Sequence, residues 1–107
     1  MKKINILLVC NAGMSTSLLI EKMEKAGVAK GIDATVDARP IEDIKSYLPG
    51  KEVILLGPQV RSKEKQIRAM VEDQIPVSVI DMSAYGTMNG EKVLQQALGL
   101  VSVSQAQ

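Results

Sequence analysis

Histidine, tryptophan and phenylalanine are absent from this sequence of 107 residues, and only two tyrosines are present. Without histidine the chain lacks the commonest general base and the commonest metal ligand. This excludes a Cys–His protease dyad and a zinc site built from cysteine and histidine. The low aromatic content argues against stacking on single-stranded nucleic acid, and a net charge of only +1 gives no reason to expect a polyanionic partner. We therefore expect no nucleic-acid partner.

Long apolar runs are also missing, although hydrophobic residues make up 46% of the chain. No segment approaches the roughly 20 apolar residues that a membrane-spanning helix needs. The apolar start at residues 4–9 is too short for a signal peptide and is interrupted by Asn5. The single cysteine, Cys10, cannot form an internal disulfide, which is typical of a reducing cytoplasm. We expect a cytoplasmic protein of one domain, residues 1–107, with a polar tail that frays from about residue 102.

Four apolar segments alternate with helical patterns along the chain. Strands are predicted at residues 4–9, 32–38, 52–56 and 77–80, and helices at about 18–26, 41–48, 60–71 and 90–101, with a loop at 81–86. The first and third strands read as buried on both faces, whereas the second alternates polar and apolar residues as an edge strand does. We predict an α/β fold of three layers, with a four-stranded parallel sheet in the order 2-1-3-4.

Cys10 lies directly after the first predicted strand and before the first predicted helix. Ligands of such sheets bind at the carboxyl ends of the strands, where the strand order reverses, and here that point lies between strands 1 and 3. Backbone N–H groups before a helix bind anions, and the same setting lowers the pKa of a thiol. The segment reads Cys10-Asn11-Ala12-Gly13-Met14-Ser15-Thr16-Ser17. A lone cysteine is often only a small buried hydrophobic residue, and one hydroxyl would suffice as a helix cap. Three consecutive hydroxyl residues that follow a cysteine and a glycine favour a loop that binds a phosphoryl group.

Other phosphate-binding loops do not fit this segment. A nucleotide P-loop needs a lysine that is missing, and a dinucleotide fingerprint needs three spaced glycines where this loop has one. The chain resembles low-molecular-weight tyrosine phosphatases in fold and in its cysteine loop. Their signature C-x-x-x-x-x-R, however, requires an arginine where this sequence has Thr16. Loss of that arginine removes charge stabilisation from a hydrolytic transition state and suits a phosphoryl carrier better.

The sequence more closely resembles the enzyme IIB components of the bacterial phosphoenolpyruvate-dependent sugar phosphotransferase system, in the lactose/cellobiose/chitobiose class. The resemblance is carried by residues 10–19, by 53–59 and by 80–86, and extends over nearly the whole chain. It implies that Cys10 takes a phosphoryl group from a phosphohistidine on a separate IIA protein. The phosphocysteine then donates to a disaccharide in the membrane transporter IIC, with which the IIB protein associates peripherally, without inserting into the membrane. No metal or other cofactor is implied.

The resemblance also implies a phosphate-binding site. Its backbone donors come from Asn11, Ala12, Gly13, Met14, Ser15, Thr16 and Ser17, and Met14 at the loop tip is a candidate partner contact. Gln59, Asp81 and Tyr85 follow the third and fourth strands and are candidate rim or partner contacts. Each also has a purely structural alternative. Gln59 could cap the following helix, Asp81 could cap the turn after strand 4, and Tyr85 could pack with a solvated hydroxyl. A phosphatase-like hydrolase and a non-catalytic IIB-like signalling module are the alternative functions.

Overall fold

A four-stranded parallel sheet forms the centre of the computed structural model, which describes residues 2–10, 16–72 and 74–105. The strands are β1 (Lys2–Val9), β2 (Ile32–Arg39), β3 (Val53–Leu56) and β4 (Val77–Val79). They follow the order β2-β1-β3-β4, as predicted. Every residue of β3 is buried, and β1 is buried from Ile6 onward, because both strands lie between two neighbours in the sheet and under helices on both faces.

Within the ranges that the structure describes, four α-helices and two 3-10 helices connect and cover the strands. They are α1 (Thr16–Ala29), a first 3-10 helix (Ile41–Tyr47), a second 3-10 helix (Pro58–Lys63), α2 (Glu64–Met70), α3 (Met82–Gly86) and α4 (Gly90–Gln105). One core cluster joins the sheet to α1, α3 and α4, and a second joins its other face to the first 3-10 helix and α2. This arrangement confirms the predicted three-layer α/β fold.

The structure differs from the sequence-based prediction at three places. The backbone of α4 continues to Gln105, four residues beyond the predicted end at Val101, because no glycine or proline interrupts residues 102–105. The segment after β4 contains the short helix α3 rather than only a loop. Leu18 belongs to the apolar pattern of α1 but is 47% exposed, because it lies about 100° around the helix from the fully buried Leu19.

Helices α1 and α4 approach each other most closely at Gly90, the first residue of α4. A β-carbon placed on Gly90 would lie 2.6 Å from the backbone nitrogen of Met23 and would also collide with the backbone of Lys22. Only glycine allows the two backbones to lie this close. Within the described ranges, no helix combines the length and the hydropathy that a membrane span requires.

Candidate active site at the carboxyl edge of the sheet

Backbone hydrogen bonds tie the ends of all four strands into one edge of the sheet. The amide of Cys10 donates to the carbonyl of Arg39 at 3.2 Å, which joins the end of β1 to the end of β2. The amide of Gly57 donates to the carbonyl of Val9 at 2.9 Å, and that of Ile80 donates to the carbonyl of Leu56 at 2.8 Å. The residues that follow β1, β3 and β4 therefore lie along the same rim, as parallel strands require.

Cys10 lies at the centre of this rim, because β1 has β2 on one side and β3 on the other. The cysteine is 7% exposed, and the helix α1 begins six residues after it, at Thr16. Residues Asn11, Ala12, Gly13, Met14 and Ser15 of the predicted phosphate loop lie outside the described residues. Ser17 is exposed in the first turn of α1. The cysteine is thus placed between a central strand and the start of a helix of 14 residues.

Asp81 caps a helix, which is the structural one of the two roles predicted for this residue. Its Oδ2 accepts a hydrogen bond of 3.0 Å from the backbone amide of Ala84, and Asp81 is the N-cap of α3. The neighbouring Gln96 of α4 accepts from the amide of Asp81 at 3.4 Å and donates to the carbonyl of Val79 at 2.8 Å. The carboxylate therefore has a structural task at the exit of β4.

A groove of about 570 Å³ opens beside the ends of β3 and β4. It is lined by Pro58, Gln59, Arg61, Ser62, Met82, Tyr85 and Gly86. Tyr85 is only 7% exposed and packs in the core cluster on the α4 side of the sheet. Gln59 is exposed and lies inside the second 3-10 helix, whose N-cap is Gly57 and has no side-chain cap bond. The suggestion that Gln59 caps this helix was therefore wrong, because the helix begins before it, at Pro58.

Arg39, which the sequence analysis did not single out, is the last residue of β2 and is paired with Val9 of β1. Its guanidinium lies over the ring of Tyr47, with 4.1 Å between Cζ and the ring centroid. Its Nε is buried and has no acceptor among the described residues. The predicted strand order, in which strand 2 borders strand 1, was the one signal that could have placed Arg39 beside Cys10.

Comparison with known proteins identifies the family. The sequence pattern of the family described as "PTS system, Lactose/Cellobiose specific IIB subunit" matches residues 5–96. The chain belongs to this family. PTS denotes the phosphoenolpyruvate:carbohydrate phosphotransferase system, and its IIB components are phosphotransferases in general. The resemblance noted from the sequence is thereby confirmed for the family, and the protein is a PTS IIB component of the lactose/cellobiose type.

Several relatives are similar over almost their whole length. The chain is 42% identical over 103 residues to the galactose-specific EIIB component of Lactococcus lactis subsp. cremoris, covering 91% of this chain and 95% of the relative. Identity and coverage are the same for the cellobiose-specific EIIB component of Lactococcus lactis subsp. lactis. The oligo-beta-mannoside-specific EIIB component of Bacillus subtilis is 38% identical over 102 residues, covering 94% of this chain and 97% of the relative.

Solved structures of IIB proteins share the fold. The solution structure of the cellobiose-specific IIB component from Borrelia burgdorferi superimposes with a TM-score of 0.79 at 41% identity, covering 95% of this chain and 94% of that one. The lactose-specific IIB domain from Streptococcus pneumoniae superimposes with a TM-score of 0.80 at 18% identity, covering 92% of this chain and 98% of that one. The second likeness supports the fold alone.

Proposed function

We propose that Cys10 carries the phosphoryl group of this IIB protein. The observation that supports this most is the position of Cys10 at the end of β1, at the switch point of the sheet between β1 and β3, in a chain of the IIB family. A thiol at that point is beside the region where ligands of parallel sheets bind. The chain has no other cysteine and no histidine to accept the group.

The proposed reaction consists of two displacements at phosphorus. In the first, the Cys10 thiolate attacks a phosphohistidine of IIA, the P–S bond forms and the P–N bond breaks, so that imidazole leaves. In the second, a hydroxyl of the sugar held by IIC attacks, its proton is lost, the P–O bond forms and the P–S bond breaks. The thiolate is thereby regenerated. Both steps depend on positioning and charge stabilisation rather than on a cofactor.

We propose that the phosphoryl group is held by the segment between β1 and α1. The residues concerned are Asn11, Ala12, Gly13, Met14, Ser15, Thr16 and Ser17. The first turn of α1 contains no acidic residue, so no carboxylate of that turn opposes an anion. The partial positive charge of the helix N-terminus favours the anion further.

The rim around Cys10 is the proposed docking surface for IIA and IIC. Two large apolar side chains are exposed there, Leu18 in the first turn of α1 at 47% and Met82 in α3 at 61%. Gln59 and Tyr85 line the groove beside them, and Asp81 shapes it by capping α3. Exposed apolar residues in a polar rim are typical anchors for a protein partner. Docking on IIC would bring this protein, which we expect in the cytoplasm, to the membrane.

The sugar is proposed as a disaccharide of the cellobiose, chitobiose or lactose type. The named relatives are specific for galactose, cellobiose and oligo-beta-mannosides at similar identity, so IIB similarity does not select one sugar. Phosphorylation of a disaccharide panel in membranes that contain the cognate IIC would identify the acceptor.

The test of the carrier function is the Cys10→Ser variant. Incubation with phosphorylated IIA should add one phosphoryl group to the wild-type protein, seen as a mass increase and as a thiophosphate signal in ³¹P NMR. The variant should fold with an unchanged melting temperature and accept no thiol-bound phosphate, because serine is far less ionised than cysteine.

Two results would contradict the proposal. Rapid release of inorganic phosphate without sugar would favour a hydrolase. Phosphate uptake by the serine variant equal to that of the wild type would place the acceptor elsewhere.

A further inference from the structure

We propose that Arg39 supplies to the Cys10 site the positive charge that the loop after β1 lacks. The inference rests on the proposed function, because the anion that this charge would stabilise is the phosphoryl group on Cys10. The loop has Thr16 where the related phosphatase signature has an arginine. A cation from the neighbouring strand would replace part of that charge without placing an arginine inside the loop.

The first step of the argument is the register of the strands. Arg39 is the partner of Val9 in the β1–β2 pairing, and its carbonyl accepts the amide hydrogen of Cys10 itself at 3.2 Å. Neighbouring strands lie about 4.8 Å apart, so the α-carbons of Arg39 and Cys10 are close. The backbone of Arg39 is therefore adjacent to that of Cys10, whereas its side chain lies on the face of the sheet that Val9 and Tyr47 share, so its charge acts on Cys10 through space rather than by contact.

The second step is the way the guanidinium is held. Its Cζ lies 4.1 Å from the centroid of the Tyr47 ring, which restricts the side chain and leaves the edges of the guanidinium for hydrogen bonding. Nε is buried without an acceptor among the described residues. A buried donor is costly when it has no partner, so an anion that reached this donor would be favoured.

The third step is a comparison of charges. Lys25, Lys51 and Arg68 each form an ion pair within the described ranges, with Glu21, Asp37 and Glu64 respectively. Within the same ranges Arg39 pairs with no carboxylate, and its contact with Tyr47 leaves its charge in place. Asp37, two residues before Arg39 on the same strand, forms its ion pair with Lys51 at 2.9 Å. The charge of Arg39 is thus available to an anion at the rim.

The field of Arg39 at Cys10 is measurable before any phosphoryl transfer. The ratio of the alkylation rates of Cys10 by anionic iodoacetate and by neutral iodoacetamide reports the local potential, because only the anion is attracted. Arg39→Gln should lower this ratio by about fivefold, because the attraction of a unit charge through partly aqueous surroundings is lost. Arg39→Lys, which keeps the charge, should restore most of it.

Lys30→Met is the matched control, because it also removes one positive charge but from the turn before β2, at the opposite edge of the sheet. It should leave the ratio unchanged. In the wild-type protein, 0.5 M NaCl should lower the ratio toward the value of Arg39→Gln, since salt screens the field. The salt effect shows that a positive field acts on Cys10, and the difference between Arg39→Gln and Lys30→Met assigns that field to Arg39. A wild-type ratio that salt leaves unchanged would overturn the inference even if Arg39→Gln unfolds, and a ratio that Arg39→Gln leaves unchanged would overturn it as well.

A second readout follows the phosphorylated protein. In a ³¹P titration of phosphocysteine, Arg39→Gln should lower the second ionisation constant of the phosphoryl group by threefold or more. The reason is that a nearby cation favours the dianion. An ionisation constant equal to that of the wild type would contradict the proposal. Failure of the wild-type protein to accept phosphate would instead refute the proposed function and leave the alkylation result standing.

Discussion

Single residues at the rim have different tasks, although they lie within one groove or beside it. Asp81 has the carboxylate that a hydrolase would need for activating water, but that carboxylate accepts the amide hydrogen of Ala84. Tyr85 is largely buried, whereas Met82 in the same short helix is exposed. The contacts of each side chain, rather than its distance from the rim, distinguish a structural residue from one available to partners.

Substitution of Asp81 tests its role as a cap. Asp81→Ala should lower the free energy of unfolding by about 1 kcal/mol, because α3 loses its side-chain N-cap. Asp81→Asn keeps an oxygen acceptor and should stay close to wild type in both stability, measured by urea unfolding, and phosphoryl transfer. A large loss of transfer in a stably folded Asp81→Asn protein would instead indicate a chemical role for the carboxylate.

Residue-scale predictions from the sequence succeed where the cause is local. Asp81 was recognised as a possible cap because a cap needs only a strand end and the next three residues. Arg39 was overlooked because its significance depends on Tyr47, eight residues later. That contact exists only once the first 3-10 helix has folded against the sheet. No pattern within β2 distinguishes such an arginine from an ordinary solvated one.

At the scale of elements, the packing of α4 on α1 depends on the absence of a side chain at Gly90. The β-carbon of an alanine there would meet backbone atoms of Lys22 and Met23, which cannot turn aside as a flexible side chain can. Gly99, in the same helix, has no atom within 4 Å of the corresponding position. The two glycines of α4 therefore differ in what they contribute.

The two alanine variants should change stability in opposite directions. Gly90→Ala should destabilise the protein by about 3 kcal/mol, because the helices must separate. Gly99→Ala should stabilise it by about 0.5 to 1 kcal/mol, because alanine favours the helix and meets no obstacle. Thermal unfolding of both variants beside the wild type would measure this, and equal effects would contradict the close approach of α1 and α4.

Elements were predictable where the sequence repeats a pattern for long enough. The helices α1 and α4 span 14 and 16 residues, which covers several turns of apolar spacing. Helix α3 has five residues, too few to display a period, and was predicted as a loop. The segment Ile41–Tyr47 was predicted as a short helix, but its apolar spacing does not separate the α from the 3-10 form.

For the whole molecule, strand pairing is concentrated in the two central strands. β1 pairs with both β2 and β3, and β3 pairs with both β1 and β4, whereas β4 has only three residues at an edge. The order of the strands followed from two signals, the edge character of the second strand and the right-handed crossovers that parallel strands require. That order places the end of β2 beside the end of β1, but it does not show that the Arg39 side chain lies over Tyr47.

Hydrogen exchange should reveal this gradient. Amides of residues 6–9 and 53–56 should exchange slowest, near the rate set by global unfolding, and those of β4 should exchange faster. Exchange measured by mass spectrometry on the unphosphorylated protein would test it. Protection of β4 equal to that of β3 would contradict the expected weakness of this edge.

The position of the two tyrosines gives the protein a built-in optical signal. With no tryptophan in the chain, ultraviolet emission comes only from Tyr47, stacked under Arg39, and Tyr85, which lines the groove. One lies against the last residue of β2 and the other beside the ends of β3 and β4, so they flank Cys10 from opposite sides. In the isolated protein, emission that changes on phosphorylation therefore reports on one of these two tyrosines. Such a change would give the carrier step a signal that needs no label.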